Sequence, residues 1–297
     1  MYVRFWGTRG SIASPGPTTA RYGGNTTCIE VGTDDGEVIV IDGGTGIFRL
    51  GNELAKRMPV KVSVFVTHTH WDHIQGLPFF VPLFVPGNHV RFYGTFDPVY
   101  DKSLKEILAG QMEYCYYPVR ESELKATIEY RSLREGQTVP IGGAKVTPVL
   151  MNHPVLNFGY LIEADGKKVF FTGDHEPLRN IYEPEDEDFE EYQHLIDLRN
   201  SGIEEWLEDV DVLITDSMYT ADEYPAKIGW GHGSFESCIE MAERVRAAKI
   251  VLTHHEPCRS DDDLDAIFER LQGQYADIGP EIVIAQEGMT IELAQTK

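Results

Sequence analysis

Runs of Val, Ile and aromatic residues open the chain at 1–6, 27–32 and 37–41. Gly, Asp and Asn turn residues separate them, and the pattern predicts three short strands. Between 46 and 58 the period changes: Ile47, Leu50, Leu54 and Met58 recur at helical spacing until Pro59 stops them. The segment 61–66, KVSVFV, predicts a buried strand that runs straight into THTHWDHIQG. Further strands are predicted at 90–93, 138–141, 145–150, 158–163 and 168–172, and later ones at 211–215, 249–253, 281–285 and 289–293. Helices are predicted at about 101–112, 187–208, 235–247 and 261–275. No repeat and no low-complexity linker breaks the chain. The fold class is α/β, sheets covered by helices, in one domain spanning 1–297. The Pro- and acid-rich stretch beginning at 183 predicts an acidic helical insertion at about 178–209, not a domain boundary.

Composition narrows the function. Apolar residues make up 42 % and aromatics 11 %, enough for a full core, which excludes wholesale disorder. Acidic side chains number 48 against 26 basic ones, a net charge of −22. A nucleic-acid coat or an anionic-membrane binder needs the opposite balance. The charge is uneven: 183–211 holds thirteen acids and one base, Arg199, and so carries more than half of it. Cys28, Cys115, Cys238 and Cys258 are scattered with no CxxC pair, which fits a reduced compartment. The start, MYVRFWGTRGS, has no apolar signal core, and no apolar run approaches the ~20 residues of a membrane helix. The expected location is cytoplasmic.

The chemistry concentrates after the strand at 61–66. His68, His70, Asp72 and His73 fall within six residues. Imidazole and carboxylate suit zinc and similar ions. Side chains at i and i+2 of an extended segment share a face, so His68 and His70 can share one ion. A following turn would redirect Asp72 and His73 toward a neighbouring one. His153, Asp174 and the pair His254–His255 each follow an apolar β run and precede a turn or polar loop. A lone histidine is usually structural; this many in one context is not explained that way. Strand ends converging on one rim are how layered folds assemble a site.

The order HxHxDH, isolated His, Asp, late His resembles the metallo-β-lactamase superfamily of binuclear metallohydrolases. The resemblance spans nearly the whole chain, from FWGTRGS to the last strands, and implies a four-layer αββα sandwich. Carried over by position, it implies that His68, His70 and His153 hold one metal, that Asp72, His73 and His254 hold a second, and that Asp174 bridges them. His255 competes for the last place, with His254 preferred because it directly follows the strand. Asp42, in VIVIDGG, would orient a ligand histidine. His175 is expected to be a loop or pocket residue. The implied cofactors are two divalent ions, Zn first, with Mn or Fe as alternatives because the same N and O ligands suit all three.

Within the superfamily the histidine-rich set resembles the phosphodiesterase branch, which includes ribonuclease Z and cyclic-nucleotide phosphodiesterase-like proteins. TDSMYT (215–220) and GWGHGS (229–234) resemble the segment where that branch places a carboxylate and a non-ligand histidine near the scissile phosphate. His232 would assist the leaving oxygen and Asp216 would hold its other nitrogen. Asp72 is counted as catalytic as well as ligating. Arg9, Arg21, Asn25 and His255 are candidate substrate contacts. Trp71, Phe79, Phe80, Tyr219 and Trp230 flank the ligands and can stack a base or pack the rim. Only 21 positions separate His153 from Asp174, and FGYLIEADGKKVFFTG reads as a plain hairpin, with no room for the protruding arm by which long-form ribonuclease Z holds tRNA. The expected function is hydrolysis of a small (cyclic) nucleotide or similar phosphodiester, with no long nucleic acid and no membrane as partner, and with a homodimer left open. The alternatives are tRNA 3′ processing and a non-catalytic metal- or nucleotide-binding protein on a hydrolase fold.

Overall fold

The computed structural model describes residues 1–294, so the last three positions of the expected 1–297 domain lie outside the described residues. In chain order the elements begin β1 (Tyr2–Gly7), β2 (Cys28–Gly32), β3 (Val38–Ile41), α1 (Ile47–Leu54), β4 (Lys61–Val66), α2 (Trp71–Ile74), β5 (His89–Gly94), α3 (Leu104–Gly110) and β6 (Thr127–Ser132). They continue with β7 (Val139–Ile141), β8 (Ala144–Met151), β9 (Asn157–Ala164), β10 (Lys167–Phe171), α4 (Phe189–Leu207), β11 (Val212–Asp216), α5 (Phe235–Arg244), β12 (Lys249–Thr253), α6 (Asp261–Gln274), β13 (Glu281–Ile284) and β14 (Thr290–Glu292). The described strands form two seven-stranded sheets, ordered β14-β1-β2-β3-β4-β5-β6 and β13-β12-β11-β10-β9-β8-β7.

Strand alternation builds the layers. In β3, Ile39 and Ile41 enter the core between the sheets, while Val38 and Val40 join the outer core with Ile47, Leu50 and Leu104 of the helices. In β10, Val169 and Phe171 face the other sheet, while Phe170 packs outward with Leu207 and Ile239. Sheets covered on both faces need strands that are apolar throughout, which is why these runs were unbroken in the sequence. The result is the αββα sandwich.

Two elements depart from expectation. β6 was not foreseen: Thr127–Ser132 is a half-exposed edge strand with Glu129 and Arg131 in it, and it carries little apolar signal. The acidic stretch does more than the expected insertion would. β10 and β11 pair in parallel, and α4 lies in the crossover between them, burying Ile203 and Leu207 against the second sheet. The β9–β10 hairpin closes with Asp165 and Gly166, both at positive φ (55° and 72°), a two-residue turn with no arm.

Candidate metal centre

The site lies where six strands end. Asp42 follows β3, Thr67 and His68 follow β4, His153 follows β8, Asp174 follows β10, Asp216 ends β11, and His254 follows β12. Asp42 and His254 sit at φ of 62° and 61°, so each chain bends sharply as it leaves its strand. Asp and His are among the residue types that tolerate that region. His70 caps α2 in extended conformation, and the short helix carries Asp72 and His73 back toward the strand ends.

Of three overlapping donor groups, two match the expected ligand sets. His68, His70, His153 and Asp174 form one; Asp72, His73, Asp174 and His254 form the other; within each, the ligand atoms lie within 4.8 Å of one another. Asp174 belongs to both, with Oδ1 at 3.2 Å from His73 Nε2 and from His254 Nε2, and Oδ2 at 3.7 Å from His68 Nε2. His153 Nε2 is 3.2 Å from His70 Nδ1. His68 Nε2, His73 Nε2 and Asp174 Oδ1 are buried yet form no hydrogen bond. Buried nitrogens and a carboxylate oxygen that converge without bonding one another are what a cation satisfies. The residues fit metal ions.

The opposite nitrogen of most of these rings is tied down. His73 Nδ1 donates to Asp42 Oδ2 at 2.7 Å, His153 Nδ1 to the Gly231 carbonyl at 2.9 Å, and His68 Nδ1 meets Thr67 Oγ1 at 3.1 Å. Thr67 in turn bonds the Asp42 carboxylate at 2.9 Å. Such contacts fix tautomer and ring orientation. Burial alone would raise the Asp72 carboxyl, but His73 and His254 outweigh it and hold it well below the usual carboxylate range. Burial likewise disfavours the charged form of His254, but Asp174 and Asp216 outweigh it and push its pKa up to about 10. The cluster is built to surround positive charge.

Beside this centre, His232 Nδ1 donates to Asp216 Oδ2 at 2.8 Å, and the backbone N–H of His175 donates to the same oxygen at 3.2 Å. His175 is buried; its Nδ1 accepts from the Asn152 amide at 3.2 Å, as expected of a pocket residue rather than a ligand.

The four expected substrate contacts are elsewhere. Arg9 is fully buried, and its guanidinium caps the carbonyls of Gly23, Glu256 and Arg259. Arg21 pairs with Asp262 and Asp265 on α6. Asn25 is held by Glu287. His255 is buried against Tyr22 and bonds the Ala285 carbonyl at 2.9 Å, away from the donor groups; burial lowers its pKa to about 3. The early loop reaches the site with backbone instead: the Ser11 N–H donates to Asp72 Oδ2 at 2.7 Å. Phe80 is buried in the outer core and unavailable for stacking. Glu176 was missed. It is buried, accepts from Tyr224 Oη and from the N–H groups of Gly229 and Gly231, and so holds the loop that carries His232. Its only sequence signal is its place two residues after Asp174.

A histidine-rich pair of donor groups sharing a buried aspartate, at the rim of an αββα sandwich, defines a metal-dependent hydrolase of metallo-β-lactamase fold. The chain belongs to the beta-lactamase superfamily: the profile of the beta-lactamase superfamily domain matches residues 38–255. A ribonuclease Z of Haloarcula marismortui is 23 % identical over 97 % of this chain and 96 % of its own. Two solved structures share the fold: the metallo-beta-lactamase fold protein YhfI from Bacillus subtilis (TM-score 0.68, 18 % identity, 98 % of each chain) and a diphosphatase from the PhnP family (TM-score 0.65, 19 % identity, 99 % of this chain and 98 % of that one). No described helix is long and apolar enough to cross a membrane.

Proposed function

We propose that the protein is a phosphodiesterase that hydrolyses a small phosphodiester, of the cyclic-nucleotide kind, with two divalent cations, zinc first. The sharing of buried Asp174 by two four-donor groups carries the proposal. His68, His70, His153 and Asp174 would hold one cation, and Asp72, His73, His254 and Asp174 the other. Bound there, divalent cations supply Lewis acidity, acidifying a water and neutralising charge on phosphoryl oxygens. The chain's own groups do the rest. Asp42, Thr67 and the Gly231 carbonyl orient the imidazoles. Asp216 holds His232 through Nδ1 and leaves Nε2 to protonate the leaving alkoxide.

The test is metal analysis with a diesterase assay on bis(p-nitrophenyl) phosphate. The wild type is expected to hold two metals per chain and to turn the ester over; His68→Ala is expected to lose metal and rate together. Full metal with no turnover of any diester would sink the proposal. Likeness to ribonuclease Z favours a second reading, tRNA 3′ processing. The armless β9–β10 turn speaks for the smaller substrate, and cleavage of a precursor tRNA decides between them.

A further inference from the structure

A cavity of about 260 Å³ opens between α4, α5 and the connection after β10. That is just under the range of drug-sized sites and suits a smaller organic molecule. None of the residues of the three donor groups lines it. Its wall is instead the back of the loop that carries His232: His175, Tyr224 and Gly233 all line it.

Two observations define an occupant. First, His175 is only 8 % exposed, and its Nδ1 accepts from the Asn152 N–H at 3.2 Å. In the neutral ring the proton then sits on Nε2. That N–H meets no hydrogen-bond partner among the described residues, and it is not sealed in. A donor held at the wall of an open cavity needs an acceptor there. Second, Arg179 has no acidic partner among the described residues, in a chain with 48 acids for 26 bases. Its guanidinium carbon lies 5.0 Å from the centre of the Tyr224 ring, on the same wall. The other charged groups of the lining are engaged: Arg244 with Glu204 at 2.7 Å, and Glu240 with Tyr275 Oη at 3.3 Å. One unpaired guanidinium and one neutral N–H call for a single anion, and the planar guanidinium fork matches a carboxylate. Pro177, Ile203 and Met241 add apolar surface that an inorganic ion would leave unused.

We propose that this cavity binds a small organic carboxylate, its charge on Arg179 and His175 Nε2 and its apolar body on Ile203 and Met241. The site goes beyond the phosphodiesterase reading and does not depend on it. An occupant there restrains the His232 loop from behind. Tyr224 Oη donates at 2.7 Å to Glu176, which holds that loop, and the His175 N–H donates at 3.2 Å to Asp216, which holds His232.

The probe is benzoate, titrated by calorimetry into the metal-replete protein, with benzamide as the neutral control and sulfate as the inorganic one. Benzoate is expected to bind saturably, and each control about tenfold more weakly or not at all. Arg179→Gln removes one charged hydrogen-bond partner and no member of a donor group. It is expected to weaken benzoate by about tenfold or more at wild-type metal content. Amide hydrogen exchange across 224–233 is expected to slow when benzoate is added to the wild type, and not in Arg179→Gln at the same concentration. Benzoate affinity equal in the two proteins would put the carboxylate on the bound metals and overturn the proposal, as would the absence of saturable binding. Exchange unchanged at saturating benzoate overturns the restraint of the loop. Turnover of bis(p-nitrophenyl) phosphate, or its absence, alters none of these outcomes, so the two readings fail separately.

Discussion

His232 is gripped from behind by Asp216 and stands next to, not inside, the two donor groups that share Asp174. A third group, Asp174, Asp216, His232 and His254, would make it a ligand instead. The two roles separate on substitution. His232→Ala is expected to lower kcat by about 10²- to 10⁴-fold while metal content stays at the wild-type level. Metal loss in parallel with rate would make it a ligand. Tyr22 shows a different residue-scale effect. Burial, then its bond to Asp265 at 2.8 Å, raises its pKa from 10 to about 12. The unfolded chain gives up that proton first, so the stabilisation is intact below pH 10 and lost as pH rises toward 12. The melting temperature is expected to fall across that window, and to fall less in Tyr22→Phe; equal slopes would show that the phenol does not matter.

Among elements, the connection after β10 and the loop before α5 act as one unit. Asp174 bridges the donor groups, the His175 N–H holds Asp216, and Glu176 accepts from Gly229 and Gly231 at 2.9 and 2.8 Å. Gly231 has φ of 86°, and a Cβ there would come within 2.3 Å of His153 Nδ1, so its backbone lies directly on that ring. Glu176→Ala leaves two loop amides without their acceptor, and the buried one, of Gly231, costs about 1–3 kcal/mol when left unmet. The expected result is a lower melting temperature with kcat reduced more than KM is raised, and partial recovery in Glu176→Gln. A lower melting temperature with wild-type kcat would mean that the clamp serves stability alone. It is not legible in the sequence because its partners lie about fifty positions away and the Glu carries no motif.

Across the whole molecule, charge and chemistry are separated. More than half of the net charge of −22 lies in 183–211, mostly on and around α4, whose buried Ile203 and Leu207 hold it to the second sheet. Clustered like charges repel, and salt screens them over about 8–10 Å at physiological ionic strength. Raising salt from a dilute buffer to about 0.15 M is therefore expected to raise the melting temperature; a flat or falling trend would show that the stretch is not self-repelling.

Whatever depends on local pattern is legible along the chain. Strands covered on both faces must be apolar throughout, so β3, β4, β10, β11 and β12 stood out; β6, a polar edge strand, did not. Ligand chemistry is likewise local where donors crowd together, and HTHWDH announced itself. His153, Asp174 and His254 were legible because each follows a strand. Contacts that cross the two sheets come from packing. Packing turned Arg9 into a cap for carbonyls 247 and 250 positions away, sent Arg21 and Asn25 to acidic partners, buried His255 against Tyr22, and aimed Glu176 at a loop no motif connects to it. Hydrogen-bond partners are chosen by distance in space, and that distance exists only once both sheets have packed.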